Sequence, residues 1–198
     1  KLRCCLVARN NRRQEILQIL AAQLQKKPGH RITTASLAKA VGVSEAALYR
    51  HFPSKGKMYE GLLEFAERVV FARVTQISAE SKEANWKCQQ ICTLVLRFAD
   101  KNPGIARLLV ADVLLDENQK LRQRAGQFFA RLETEIKQVL REGNTASVAT
   151  KRLSVPANAN LLIAVLMGRY AHFVSSDFTA NPLEYWEQQW ASLDAALF

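Results

Sequence analysis

Thr33, Thr34, Ser44, Tyr49, Arg50, His51 and Lys55 fall within 23 consecutive positions, and each carries an O–H or N–H that can donate to a phosphate oxygen. Between them, Ser44, Glu45, Ala46 and Ala47 open a short helical segment with small side chains. Such a start can approach the floor of a DNA major groove, where an α-helix fits. The hydroxyls of Thr33, Thr34 and Ser44 can donate to phosphate, and Lys55 and Lys57, at the start of the next helix, lie where a backbone would run. Tyr49 and His51 could instead pack within the segment, and Leu48 and Phe52 read as core. Catalytic chemistry has no comparable cluster. His30, His51 and His172 are far apart, and no Ser-His-Asp arrangement, metal-binding run or glycine-rich phosphate loop occurs. Cys4, Cys5, Cys88 and Cys92 lack further ligands nearby and are expected to be reduced thiols. No metal and no cofactor are expected.

The elements that must position these groups follow from spacing. Ile16, Leu17, Leu20 and Leu24 recur at helical period and predict a helix over about 10–27, ended by Pro28-Gly29. Thr33 or Thr34 caps a short helix containing Leu37, Ala38 and Val41, and Gly42 suits a left-handed helix end. Ser44 caps a second short helix, Glu45 to His51, which Phe52-Pro53 stops. Two short helices joined by Ala-Val-Gly-Val-Ser form a helix-turn-helix. Ser54 then caps a long amphipathic helix over about 55–80, with Met58, Leu62, Phe65, Val69 and Val70 on one side. Further helices are predicted near 84–101, 103–113, 117–142, 157–177 and 183–197, with a loop at 143–156. Strand-period alternation is absent, so the expected class is all-α.

The charge is as uneven as the motifs. The 198 residues carry 28 Lys+Arg against 18 Asp+Glu, a net +10. Residues 1–57 hold 12 of the basic residues and only Glu15 and Glu45 as acids, so the body from 58 onward is neutral. A basic module on a neutral body is the footprint of a polyanion binder. Helix one lacks the exposed aromatic face of an interfacial helix, which argues against a membrane surface as the anion. The longest wholly apolar run, Leu161–Met167, is too short for a membrane span. The chain is expected to be soluble and cytosolic, with residues 1–57 as one module (1–9 a flexible lead without a role) and 58–198 as another.

The segment ITTASLAKAVGVSEAALYRHFPSKGKMYEGLLEF resembles the DNA-binding region of the TetR family of regulators, most specifically in Val43 through Lys55. The resemblance implies a three-helix N-terminal DNA-binding module, with Thr33, Tyr49, His51 and Lys55 positioning phosphates and the Ser44–Ala47 start reading base edges, and a C-terminal helical domain that dimerises through its last two helices. Within the family, RNNRRQEILQIL, residues 31–55 and the Asn102-Pro103-Gly104 break are similar to the nucleoid occlusion branch. That likeness is dense over 9–65, thinner to 142, and departs at 143–156. It implies a homodimer that binds palindromic sites on double-stranded DNA, gathers on them in higher order, and works in the cytoplasm on the nucleoid with no membrane requirement. It further implies that the DNA-bound protein engages the tubulin-like division protein FtsZ, including its C-terminal tail, and blocks a septum over the chromosome. The matching FtsZ positions are Phe65, Arg73, Leu94, Arg97, Lys101 and Asn102, between the fourth and fifth helices. Phe65 and Leu94 would floor a groove with a basic rim, suited to a short segment with apolar anchors and acidic flanks. Where the family pattern has a small residue, this chain has Arg97, which narrows the groove or adds a contact. Phe65 and Leu94 can equally be read as core.

A ligand-responsive repressor of the same family is the alternative, with Trp86, Phe98, Phe128, Phe129 and Met167 lining a pocket or filling the core. The apolar residues of the last two predicted helices, Leu161 to Phe173 and Leu183 to Leu193, exceed what one core needs and favour a two-fold dimer. Such a dimer sets two recognition helices about 34–36 Å apart on near-palindromic DNA.

Overall fold

A capped turn at each end organises the first helices of the computed structural model, which describes residues 11–26, 32–110, 119–143 and 154–198. Thr33 caps α2 (Thr34–Val41): its side-chain oxygen accepts from the Ser36 amide at 3.1 Å. Gly42, at φ 76°, ends that helix, and the Val43 amide reaches back to the Ala38 carbonyl at 3.0 Å. This wrap satisfies carbonyls that a helix end otherwise strands, and it needs the left-handed conformation that glycine adopts without strain. Ser44 then caps α3 (Glu45–His51), accepting from the Ala47 amide at 3.2 Å, and Phe52 closes it in an extended conformation ahead of Pro53. Ser54 repeats the device for α4 (Lys55–Ser78).

The remaining elements are α1 (Asn11–Lys26), α5 (Ala84–Lys101), α6 (Pro103–Leu109), α7 (Gln119–Gly143), α8 (Val155–Ser175) and α9 (Trp186–Leu197). No strand occurs among the described residues, as the all-α reading requires. Ile16, Leu20 and Leu24 are fully buried on α1 and seat it against α2, α4 and α6. The α1–α6 approach is unusually close. A Cβ placed on Gly104 would stand 2.1 Å from the Ala21 carbonyl oxygen, so only glycine fits there. Next to it Arg107, 4% exposed, donates to the Leu24 carbonyl at 3.1 Å. A buried guanidinium is tolerable when hydrogen-bonded, and the carbonyl end of a helix is a favourable place for it.

Behind this joint α4, α5, α7 and α8 form the body. Phe71, Phe128, Phe129 and Tyr170 pack in a chain of tilted and edge-to-face rings with centroids 5.3–5.5 Å apart. The Tyr170 hydroxyl donates to the Val95 carbonyl at 2.8 Å, and burial pushes its pKa upward. A two-pronged Arg124–Glu67 pair ties α7 to α4, and the Arg131 guanidinium lies 4.0 Å over the Phe71 ring. Cys88 and Cys92 are buried free thiols on α5, and burial raises Cys88 to about 12.

Several sequence expectations are adjusted. Helix α9 begins at Trp186, not 183, because the Arg169 guanidinium donates to the carbonyls of Pro182 (2.6 Å) and Glu184 (3.3 Å). Those carbonyls are thereby held in a turn, and Tyr185 adopts φ 56° before the helix starts. Val69 is 41% exposed and faces away from the side that Met58, Leu62 and Val70 bury. Adjacent valines sit about 100° apart around a helix, so only one of the pair points inward. The loop at 143–156 is shorter at its far end, since α8 starts at Val155 with Pro156 in its first turn. Residues 1–9, the Pro28-Gly29 break, the end of the helix expected over 103–113 and most of that loop lie outside the described residues.

Candidate nucleic-acid interface and partner groove

The helix-turn-helix presents its polar groups in three different conditions. Thr33 and Ser44 use their side-chain oxygens as acceptors for helix caps, and a hydroxyl that accepts still has its own proton to offer an anion. Thr34 is spent: its hydroxyl donates to the Glu45 carboxylate at 2.8 Å. Glu45 therefore staples the start of α3 to the start of α2, and it fixes the angle between the helices as well as facing outward. Ala46 is exposed and Ala47 half-buried, so the first turn of α3 is low and open. Tyr49, at 42% exposure, points outward with Arg50 and His51, while Leu48 and Phe52 are fully buried. The packing alternative for Tyr49 and His51 is thus set aside by their exposure. Lys55, half-buried, lies with its ammonium 5.3 Å over the Tyr59 ring at the start of α4.

The six positions expected between the fourth and fifth helices divide into groups. Phe65, Lys101 and Asn102 line one groove of about 380 Å³. Its floor is apolar, from Leu17, Ala21, Leu62 and Ile105 beside Phe65, and its rim carries Arg13, Arg68 and Lys101 against the single acid Glu64. Arg68 also leans toward the Phe65 ring, 5.9 Å from its centroid. Asn102 is committed to structure, its side-chain amide donating to the Phe98 carbonyl at 2.9 Å where α5 ends and Pro103 starts α6. Arg97 belongs elsewhere. It lines a second hollow with Gln90, Thr93, Tyr185 and Trp186, between α5 and the turn before α9. Leu94 packs half-buried against the core, and Arg73 lies two helical turns beyond Phe65, donating to Gln76 at 2.7 Å. Val69 stands between Phe65 and Arg73 at four-residue spacing, so the exposed stripe of α4 runs through it rather than past it.

Sequence reasoning missed Arg13, Leu17 and Arg68 as groove residues. The signal available was faint: Arg13 and Leu17 are one turn apart on the flank of the α1 apolar stripe, but nothing local shows that α4 and α6 converge there. The residues offered as a ligand pocket mostly fill the core, and Trp86 packs half-buried against it. Phe98, Phe128 and Phe129 are core, and Met167, 48% exposed, is on the outer side of α8. Among the described residues no group of three or more His, Cys, Asp or Glu could hold a metal ion, and no helix is long and apolar enough to cross a membrane.

Comparison with known proteins agrees with this architecture. A model of the tetR family of bacterial regulatory proteins matches residues 16–62, and one of the tetracyclin repressor-like C-terminal domain, SlmA-like, matches residues 82–197. Among solved structures, the fatty acid degradation regulator FadR from Bacillus halodurans superposes with a TM-score of 0.80 at 15% identity, covering 96% of this chain and 98% of that one. The MbdR regulator from Azoarcus sp. CIB gives 0.78 at 17% identity, covering 94% and 99%. At such identities these share the fold alone. Nucleoid occlusion factor SlmA of Marinomonas sp. (strain MWYL1) is 50% identical over 185 residues, 93% of this chain and 94% of that protein. The factor of the same name from Shewanella halifaxensis is 50% identical over 187 residues, 94% and 95% of the two chains.

The chain belongs to the tetR family of bacterial regulatory proteins. Within that family it belongs with the SlmA nucleoid occlusion factors.

Proposed function

We propose that this nucleoid occlusion factor binds near-palindromic double-stranded DNA as a homodimer and, when DNA-bound, engages the C-terminal tail of FtsZ to prevent septum assembly over the chromosome. The DNA surface is the outer face of α2 and α3. Thr33, Tyr49, His51 and Lys55 hold phosphates, and Ser44, Ala46 and Ala47 bring the first turn of α3 to the base edges, with Arg50 beside them. Thr34 and Glu45 act by fixing the two helices relative to each other. The excess positive charge of this end supplies attraction that no particular sequence is needed to satisfy, and salt weakens it.

The FtsZ surface is the groove at Phe65, Lys101 and Asn102, continued along α4 by Val69 and Arg73. Leu94 and Arg97 do not line it: Leu94 packs half-buried against the core, and Arg97 lines the hollow between α5 and the turn before α9. A segment with apolar anchors and acidic flanks matches an apolar floor rimmed by three cations and one carboxylate. Dimerisation is supported by the outer stripe of α8, where Leu161 and Met167 are exposed beside Gly168, which has nothing within 4 Å of a Cβ position. That stripe is narrower than the sequence suggested, because Leu162, Leu166, Tyr170, Trp186 and Trp190 are buried within the chain itself.

The observation that carries this reading is adjacency: Phe52, which closes α3, packs under the Arg13 guanidinium at 4.6 Å and beside Gly61, both of which line the groove. The test is binding of an FtsZ C-terminal-tail peptide with and without a palindromic duplex, with Phe65→Ala and a scrambled duplex as controls. Binding that strengthens with the cognate duplex and weakens about tenfold or more in Phe65→Ala supports the reading. DNA binding without any tail binding overturns its FtsZ part.

A further inference from the structure

The groove is not built by the body alone. Arg13 and Leu17 come from α1, the first helix of the DNA-binding end, and both lie beside Phe52, the residue that closes α3. The Arg13 guanidinium carbon is 4.6 Å from the centre of the Phe52 ring. At Gly61, another groove residue, a Cβ would meet both Leu17 methyls at 3.2 Å and the Phe52 ring at 3.4 Å. Phe52 is fully buried and its amide donates to the Leu48 carbonyl at 3.1 Å, so it moves with α3. One guanidinium therefore has two faces: one toward the groove, one on the ring that anchors the recognition helix.

We propose that Arg13 is the coupling residue between the two surfaces, so that a segment seated in the groove and a duplex seated on α3 each favour the same placement of Arg13 on Phe52. This rests on the reading that the groove takes an acidic segment with apolar anchors. The groove's charge fits that occupant, since Arg13, Arg68 and Lys101 outnumber Glu64 along it, with Lys101 sharing its charge with the adjacent Asp100 at 2.9 Å. A carboxylate bound to Arg13 holds the guanidinium in its plane, and a held guanidinium holds Phe52. The linkage must be reciprocal: the factor by which duplex tightens the peptide equals the factor by which peptide tightens the duplex. Arg13 is then a positioning residue for DNA as well as a contact for the partner, and the first helix is the channel.

The experiment is a four-corner binding cycle on the full chain at fixed salt, using the FtsZ C-terminal-tail peptide and a palindromic duplex. Wild type is expected to show a coupling factor of about five or more in both directions. Lys101→Ala weakens the peptide with and without duplex and leaves the factor unchanged. Arg13→Lys keeps the charge but not the flat stacking face, so whatever it does to peptide affinity without duplex, it drops the coupling factor (the ratio of peptide affinities with and without duplex) below about two. Arg13→Gln lowers both. A coupling factor that persists in Arg13→Lys and Arg13→Gln overturns the inference while leaving the groove's occupant in place. A peptide that binds in neither state overturns the reading beneath it as well. Thermal unfolding of each variant, unchanged within a few degrees, shows that the loss is not one of fold.

Discussion

Gly42 and Gly104 stand in the two regions that matter, and they are required for opposite reasons. Gly42 ends α2 at φ 76° with nothing within 4 Å of where a Cβ would be, so its need is one of backbone conformation. Gly104 sits in the first turn of α6 with ordinary backbone but with the Ala21 carbonyl oxygen 2.1 Å from a Cβ position, so its need is one of space. The helix-turn-helix is a local object: caps, a left-handed turn and a stapling Thr34–Glu45 bond join residues at most eleven apart. The groove is a long-range object, and the residues that make it come from α1, α4, α5 and α6. A local device can be read and repaired one position at a time. A long-range joint fails as a unit.

The largest expected effect is therefore at the joint. Gly104→Ala forces α6 off α1 and costs about 3 kcal/mol in urea-induced unfolding, with loss of tail binding. Next comes a pH effect that belongs to the body and not to the DNA-binding end. Burial raises Cys88 to about 12 from 9.0 and raises Cys92 in the same direction. Thiols that stay protonated when folded but ionise when unfolded make the unfolded state lose protons first as pH rises. Stability is thus fully present below about pH 9 and declines above it, by up to about 1.4 kcal/mol per pH unit for each thiol. The Cys88→Ala/Cys92→Ala double variant flattens that decline in denaturant titrations at pH 8, 9 and 10. Gly42→Ala is milder at about 1 kcal/mol, because the alanine meets only torsional strain and no neighbour. It weakens duplex binding by tilting α3 while leaving the groove intact in a tail-peptide assay without DNA. The smallest effect is that of Lys55→Ala. It lowers duplex affinity a few-fold for all sequences alike and reduces the salt slope by about 0.9 for each phosphate the chain no longer neutralises.

The same contrast explains what the sequence disclosed. Ser44, Gly42 and Phe52-Pro53 each act within a few residues, so the helix-turn-helix is legible from cap chemistry and spacing. Phe65, Lys101 and Asn102 come from family likeness, and the groove does unite them. Arg97 is grouped with them by the same likeness. The structure gives it to the neighbouring hollow, since the turn fixed by Arg169 brings Tyr185 and Trp186 against that side. In the sequence Arg13 is only one more positive charge; its place depends on α1 crossing α6 at Gly104, and that crossing leaves no mark near residue 13. Val69 goes to the wrong side because two adjacent valines give no local clue as to which one faces in. Fold class and helix order need only periodicity and breaks, which is why they are recovered along nearly the whole described chain.

DNA on α2–α3 and a partner segment in the α1–α4–α6 groove must be held by one protein at the same time if the two surfaces work together. The most direct measurement is two-colour sedimentation of the chain with a labelled palindromic duplex and a differently labelled FtsZ tail peptide. A single boundary carrying both labels is expected, with more peptide in it than sediments with the chain alone. A boundary from which the duplex drives the peptide away, or one that never carries peptide, would contradict simultaneous binding.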